Sequence, residues 1–238
     1  MLPLDRQNAY RARYAQLRPG WQPSGPQFEA LVRQTLTPAS RVLDLGCGRG
    51  GVMELFWREV RRTTGLDPDL ASLREHRTTM PRVCGLGEVL PFAAQAFDVV
   101  LALWVLEHVA RPADLLAEVR RVLVPGGHLL FLTPNANHPL LLANRFSWAF
   151  PAVQRVLVPR LYGRAEADTF RVRYQANTLG RLRALAAAGG FTVAALRPLS
   201  DPTYTAFNEP LFALSRLAER FLPPGLYVHL LGDFVRTG

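Results

Sequence analysis

Short apolar runs alternate along the chain with segments whose apolar residues recur every three or four positions, the pattern of strands interleaved with amphipathic helices. Val42, Leu43 and Leu45 predict a first buried strand, and Val52, Leu55 and Phe56 a helix directly after it. Val60 to Asp67 reads as a second strand, Leu70 to Thr79 as a helix, Arg82 to Gly85 as a short third strand, and Phe97 to Leu103 as a fourth that is apolar on both faces. Pro112 opens a helix to Leu123 with Leu115, Val119 and Val122 on one side, and Pro125 to Gly127 turn the chain into a fifth strand, His128 to Thr133. Asn177 or Thr178 can cap a helix through Leu179, Leu182, Leu185 and Ala186 that stops at Gly189 and Gly190. A sixth strand, Phe191 to Leu196, follows, then a helix over Pro210 to Leu222 with Leu211, Leu214, Ala218 and Phe221 as its apolar face, and a seventh strand within Leu226 to Val235. Ahead of the first strand, Phe28, Leu31, Val32 and Leu36 keep helical spacing up to Pro38. Upstream of them Tyr10, Tyr14 and Trp21 are interleaved with Arg6, Arg11, Arg13 and Arg18, either a flap over a ligand or an amphipathic helix with a solvated basic face. The order is that of a doubly wound, mostly parallel α/β sheet, whose ligands bind at the carboxyl ends of its strands.

The first strand runs straight into a glycine cluster, R-V-L-D-L-G-C-G-R-G-G over Arg41 to Gly51. Lacking Cβ atoms, Gly46, Gly48 and Gly50 let a ligand lie against the backbone, and a helix opened by them would turn its free N–H groups toward that ligand. The glycines fit two patterns, the dinucleotide G-x-G-x-x-G through Gly46, Gly48 and Gly51, and D-x-G-x-G-x-G through Asp44, Gly46, Gly48 and Gly50. Asp67 ends the second strand 21 positions beyond Gly46, near the interval of about 20 at which such folds set an acid on ribose hydroxyls. Pro68 then borders the adenine face, while Asp69 is better placed to cap the next helix.

At 238 residues and 49% hydrophobic content the chain can bury a substantial core, read as one domain with an insertion. The divisions are an N-terminal cap over 1–37, a cofactor-binding core over 38–133, a lid over 134–177 and C-terminal helices and strands over 178–238. No apolar run reaches the length of about 18 residues that spans a bilayer, and Asp5, Arg6, Gln7 and Asn8 interrupt any signal-peptide core, so a cytoplasmic location is expected. Cys47 and Cys84 make no disulfide scaffold and no zinc spacing, and both read as small buried packing residues. All 28 cationic residues are arginine, which removes Schiff-base and P-loop lysine chemistry. The net charge of +9 permits nucleic acid, an anionic membrane surface or an acidic substrate without choosing among them.

The stretch from Gly85 to Val109, G-L-G-E-V-L-P-F-A-A-Q-A-F-D-V-V-L-A-L-W-V-L-E-H-V, resolves the two glycine patterns. With the D-x-G-x-G-x-G loop and Asp67, it closely resembles class I S-adenosylmethionine-dependent methyltransferases of the type 11 group, across roughly Arg41 to Asn135. The resemblance implies a Rossmann-like methyltransferase fold with a seven-stranded sheet, its last strand antiparallel, and a substrate-covering insertion after the fifth strand. It also implies S-adenosylmethionine as cofactor. Asp44 would meet the cofactor's amino group, the Gly46, Cys47, Gly48 and Gly50 loop its methionine portion, Asp67 its ribose, and Pro68, Leu86 and Gly87 its adenine, with Leu103 at the tip of the fourth strand completing the set. One departure stands out. The family usually carries an aspartate for the adenine amino group where this chain has Leu86, which cannot accept that hydrogen bond, so only the Gly87 N–H is left to reach the ring.

His108, just past the fourth strand, is the candidate general base, the alternative being that it shapes its loop; Glu107 reads as structural. The insertion holds Phe146, Trp148, Phe150, Tyr162, Phe170 and Tyr174 and only two acids, Glu166 and Asp168, against six arginines. It suits an anionic, partly apolar small-molecule acceptor or else is a solvated basic surface, and transient contact with a membrane surface fits its composition. No D-P-P-Y or N-P-P-Y segment follows the fourth strand, where Leu103 to Leu106 stand instead, so a nucleic-acid acceptor is not expected. Oligomeric state is left open.

Overall fold

Parallel strands covered on both faces need apolar residues at nearly every position, and β1 (Arg41–Leu45) and β4 (Phe97–Leu103) meet that demand. In the computed structural model, which describes residues 4–142, 172–206 and 208–238, they pair at the centre of a seven-stranded sheet of order β3-β2-β1-β4-β5-β7-β6. The others are β2 (Arg62–Asp67), β3 (Arg82–Cys84), β5 (Leu123–Pro134), β6 (Phe191–Leu199) and β7 (His229–Arg236). β3, β2, β1, β4 and β5 are parallel. β7 runs against β5, since His128 bonds Asp233 while the earlier Leu123 meets Arg236. This is the doubly wound order expected, with the antiparallel strand between β5 and β6. At the amino edge Arg41 clamps Asp98, its Nη2 donating to Oδ1 at 2.7 Å and its Nε to Oδ2 at 3.0 Å, which holds the Asp98 carboxyl below its usual range and locks the start of β1 to the start of β4.

The chain forms two compact units. The larger, over 28–134, 172–197 and 230–238, contains the sheet and one continuous core in which Leu43, Val100, Phe131 and Phe234 meet Leu115 and Val119 of α4 (Pro112–Val122) and Leu182 and Leu185 of α5 (Leu179–Ala188). Gly232 lies over the Phe131 ring so closely that a Cβ would fall inside it. We expect Gly232→Ala to cost about 3 kcal/mol, the upper range for overpacking a closed core, read as a lowered denaturation midpoint at unchanged m-value.

The smaller unit, over 1–27, 135–171 and 198–229, includes α1 (Leu4–Leu17) and α6 (Glu209–Glu219). Tyr10 and Tyr14 pack on Phe212 at ring-centroid distances of 4.9 and 6.4 Å, and Trp21 meets Tyr14 edge-on at 4.7 Å. The N-terminal aromatics therefore serve as the core of this unit. Arg13 bonds Glu209 at 2.6 Å and Arg18 the Tyr14 hydroxyl at 3.2 Å. The buried side of α6 is Phe212 and Glu219, so the predicted inward face of Leu211, Leu214, Ala218 and Phe221 is instead exposed. Pairing with α1, 200 residues earlier in sequence, takes the other side of the helix, which periodicity alone cannot foresee.

Several element limits also differ from expectation. No α-helix follows the glycine loop: Val52–Leu55 is a single 3-10 turn, closed by Glu54 N–H to Gly51 O and Phe56 N–H to Met53 O. α2 is Ser24–Thr35, ahead of β1, and α3 is Leu70–Arg74, capped by Asp69 as expected and ended early because the His76 ring accepts the Thr78 N–H that a longer helix would use. β5 starts at Leu123, the residues of the Pro125 turn looping out between its pairings with Phe97 and Val99. β6 runs on to Leu199, and β7 starts only at His229, after a 3-10 turn over Pro224–Leu226 whose Gly225 and Tyr227 carbonyls accept from the Asn135 amide. Cys84 is exposed rather than packed, because β3 is the sheet edge. Among the described residues no helix is long and apolar enough to cross a membrane. Residues 143–171, most of the proposed lid, lie outside the described residues.

Candidate functional site

Parallel strands put all their carboxyl ends on one edge, so β1, β2 and β4 deliver Leu45, Asp67 and Leu103 to the same rim. There the chain leaves β1 through Gly46, Cys47 and Gly48, with the Gly46 and Cys47 N–H groups both donating to the Leu66 carbonyl at 2.7 and 3.2 Å. Gly46 and Gly48 take φ +71 and +47, the left-handed region that side chains avoid. A Cβ on Gly46 would also collide with Val105 Cγ2. The loop is thus bare backbone held against a neighbouring strand tip.

Asp67 fastens this loop from below. Its Oδ2 accepts from the Gly48 N–H at 2.9 Å and its Oδ1 from the Asp69 N–H at 2.8 Å, leaving each oxygen a second lone pair. Asp44 sits one residue short of the β1 tip, 4% exposed, and its Oδ2 has no hydrogen-bond partner. Burial, then the neighbouring carboxylates of Asp67 and Glu54, push its pKa up to about 7. Cys47 between them is buried, and burial, then the carboxyls of Asp44 and Asp67, push its thiol up to about 12, which makes it an inert packing group.

The structure therefore brings Asp44, Gly46, Cys47, Gly48, Gly50 and Asp67 together. Pro68 is exposed immediately beyond, and Leu86 and Gly87 follow β3 on the same rim. Leu86 is 58% exposed, whereas Gly87 is a glycine because a Cβ would approach Leu115 Cδ1 to 2.7 Å. The E-V-L-P-F stretch is anchored to α4: Glu118 accepts from the Leu90 N–H at 2.7 Å, and Arg121 donates to the Leu90 and Phe92 carbonyls at 2.8 and 2.6 Å. That is the structural content of a motif recognisable only as a pattern in the sequence.

Leu103 is followed by Trp104 at φ +58 and a turn carrying His108, which is half-buried. Next to it Glu107 is buried, accepts from the Thr133 hydroxyl at 3.0 Å, and is pushed up to about 7 by that burial. Thr133 in turn accepts from the Asn177 amide at 2.5 Å, and the Glu107 carbonyl takes the Arg173 and Tyr174 N–H groups at 2.7 and 3.1 Å. Glu107 holds its loop through these bonds, and the helix whose free N–H groups were expected to face the ligand is only a four-residue 3-10 turn, the Gly46, Cys47, Gly48 and Gly50 N–H groups being bonded within the protein. Sequence reasoning missed Val105, which closes the floor under Gly46, and the Glu54–Arg77 ion pair beside Gly50. Neither carries a spacing signal, because both act through tertiary contact. Among the described residues no cluster of three or more His, Cys, Asp or Glu side chains is placed to hold a metal.

Residues 43–131, the span that includes this rim, match the family model described as a methyltransferase domain. Over that span the chain matches the class I S-adenosylmethionine-dependent methyltransferases. The ubiquinone biosynthesis O-methyltransferase of Hahella chejuensis is 36% identical over 119 residues, 47% of this chain and 50% of that protein. The protein of the same name from Yersinia pestis is 34% identical over 143 residues, 57% and 53% of the two chains. The chain thus spans about half the length of the curated relatives it matches. The geranyl diphosphate C-methyltransferase of Streptomyces coelicolor, solved with S-adenosyl-L-homocysteine, superposes with a TM-score of 0.61 at 16% identity, covering 89% of this chain and 80% of that one, and shares the fold. S-adenosylmethionine is the cofactor of the family, and the residues present fit it. A buried acid with an unmatched oxygen is the counterpart that a bound ammonium group requires once the carboxyl ionises, and a loop free of side chains leaves room above it.

Proposed function

We propose that this methyltransferase domain moves a methyl group from S-adenosylmethionine to a small-molecule acceptor that is anionic or partly apolar. The observation that carries the reading is the Asp44 carboxyl, buried beneath the Gly46 to Gly50 loop with one oxygen unmatched. Bound there, the cofactor supplies an electrophilic methyl on a sulfonium, whose positive charge is lost as the methyl moves to an acceptor lone pair. Asp44 takes the amino group, Gly46, Cys47, Gly48 and Gly50 line the methionine portion, and Asp67 grips the ribose. Pro68 and the Gly87 N–H border the adenine, with Leu86 leaving out the side-chain acceptor common in the family, and Leu103 supports the reacting end. The chain's task is alignment and exclusion of water, which can supply about 7 to 11 kcal/mol of the barrier.

His108 removes the acceptor's proton where the acceptor has one to lose. His108→Ala is then expected to lower kcat by about 10²- to 10⁴-fold and abolish the acidic limb of the pH profile while cofactor affinity is unchanged; full turnover at every pH with the true acceptor excludes the role. The arginine- and aromatic-rich 134–177 segment supports an anionic, partly apolar acceptor, and the relatives named for ubiquinone biosynthesis make an oxygen acceptor the first to test. Incubating the protein with methyl-labelled S-adenosylmethionine and a lysate should place label in a small, solvent-extractable molecule. Label in RNA or DNA, or binding without transfer, overturns the reading.

A further inference from the structure

α6 presents apolar side chains on two sides. Phe212 on one is buried under Tyr10 and Tyr14, whereas Leu211, Leu214, Leu217 and Phe221 on the other are 36%, 60%, 53% and 80% exposed. Placed at about 100° per residue, Leu211, Ala218, Leu214, Pro210, Leu217 and Ala213 fill one continuous arc of about 160° that contains no charge. Leu211, Leu214 and Ala218 follow the 3-4 spacing of a helix seam, and exposed Phe221, Pro223 and Pro224 follow just past the helix end. A stripe of this kind on a soluble surface marks an interface.

The exposed charges of α6 and its carboxyl cap lie along one border of the arc and are segregated by end, Glu219 being buried on the opposite side. Glu209 stands at the amino end, 61% exposed and held in place by Arg13, and Arg216 and Arg220 stand at the carboxyl end. Two such helices crossing antiparallel about a two-fold axis set each Glu209 against the partner's Arg216 and Arg220 and oppose their dipoles favourably, so the surface is complementary to itself. An anionic lipid surface is matched less well, because cations flank only one border and an acid sits among them. We propose that the exposed face of α6 is a self-association surface and that its occupant is α6 of a second copy of this chain, packed antiparallel.

Sedimentation velocity of the full chain across a concentration series tests this. The native protein is expected to dimerise, and Leu214→Arg, at an exposed position where folding is unaffected, to weaken the dimer by about 30-fold or more, as loss of a central anchor does. E209R and R220E should each weaken self-association alone by bringing like charges together, and mixing the two should restore a heterodimer. Circular dichroism melts matching the native protein establish that all three variants are folded. A native chain that is monomeric throughout, dimers indifferent to Leu214→Arg, or failure of the mixed charge variants to pair would each overturn the proposal. So would a monomer that instead co-sediments with phosphatidylglycerol vesicles.

Discussion

Replacing Asp67 with alanine is expected to lower S-adenosylmethionine affinity by at least about 100-fold. The carboxylate has two duties at once. It accepts the Gly48 and Asp69 N–H groups at 2.9 and 2.8 Å, which fixes the glycine turn, and its remaining lone pairs are the ones we propose for the ribose hydroxyls. Hydrogen bonds to a charged acceptor are worth about 1.5 to 3 kcal/mol each, so losing two to the ligand removes about 3 to 6 kcal/mol before any loosening of the loop. Asp67→Asn separates the duties, because its amide oxygen can still take one backbone N–H while its NH2 can accept nothing. It should retain the melting temperature better than Asp67→Ala yet bind cofactor weakly. Calorimetric titration reads both variants, and unchanged affinity in either would defeat the ribose assignment.

The second large effect is a pH dependence of cofactor binding that Asp44 sets. Its pKa of about 7 in the ligand-free protein means the carboxyl is mostly protonated below that pH, while pairing with an ammonium needs it ionised. Affinity should therefore rise about tenfold per pH unit up to about pH 7, level off, and fall again above about pH 8, where an α-amino group loses its proton. Binding below pH 7 should release a proton, seen as a dependence of the calorimetric heat on the buffer's ionisation enthalpy. Asp44→Asn should bind about 10- to 100-fold more weakly at pH 7.5 and lose the rising limb, since one charge-assisted hydrogen bond and the titrating group vanish together. The same raised pKa acts on stability with a definite sign. The folded state holds the Asp44 proton more tightly than the unfolded chain, so this group's contribution declines as pH rises from about 4 to about 7, and bound cofactor offsets the decline.

The site was more legible than its surroundings. Asp44, the glycines and Asp67 are close in sequence terms because each ends or follows a parallel strand, and strand periodicity finds strand ends; once β1 and β2 pair in register, the loop and the acid must meet. The E-V-L-P-F block was recognisable as a pattern, but its cause, Glu118 and Arg121 on α4 gripping Leu90 and Phe92, was not, since the partners stand about 30 positions away. The expected helix behind the loop failed for a related reason. Val52, Leu55 and Phe56 have helical spacing, yet the Arg77 pairing of Glu54 and the return to β2 leave room for a single tight turn.

By itself, the order of apolar runs determined the strands, the doubly wound arrangement and the rim on which the proposed cofactor residues gather, because buried parallel strands such as β1 and β4 demand nearly uninterrupted apolar residues and glycine alone tolerates the turn at Gly46. Tertiary structure decided which side of each helix is inside. α6 carries apolar residues on both sides, and only the arrival of Tyr10 and Tyr14 from the far end of the chain selects Phe212 for burial and leaves Leu214 and Phe221 facing outward. It also decided protonation: nothing in the order of residues marks Asp44 out, and what raises it is the low-dielectric position beneath the loop and the neighbouring carboxylates that folding brings to it.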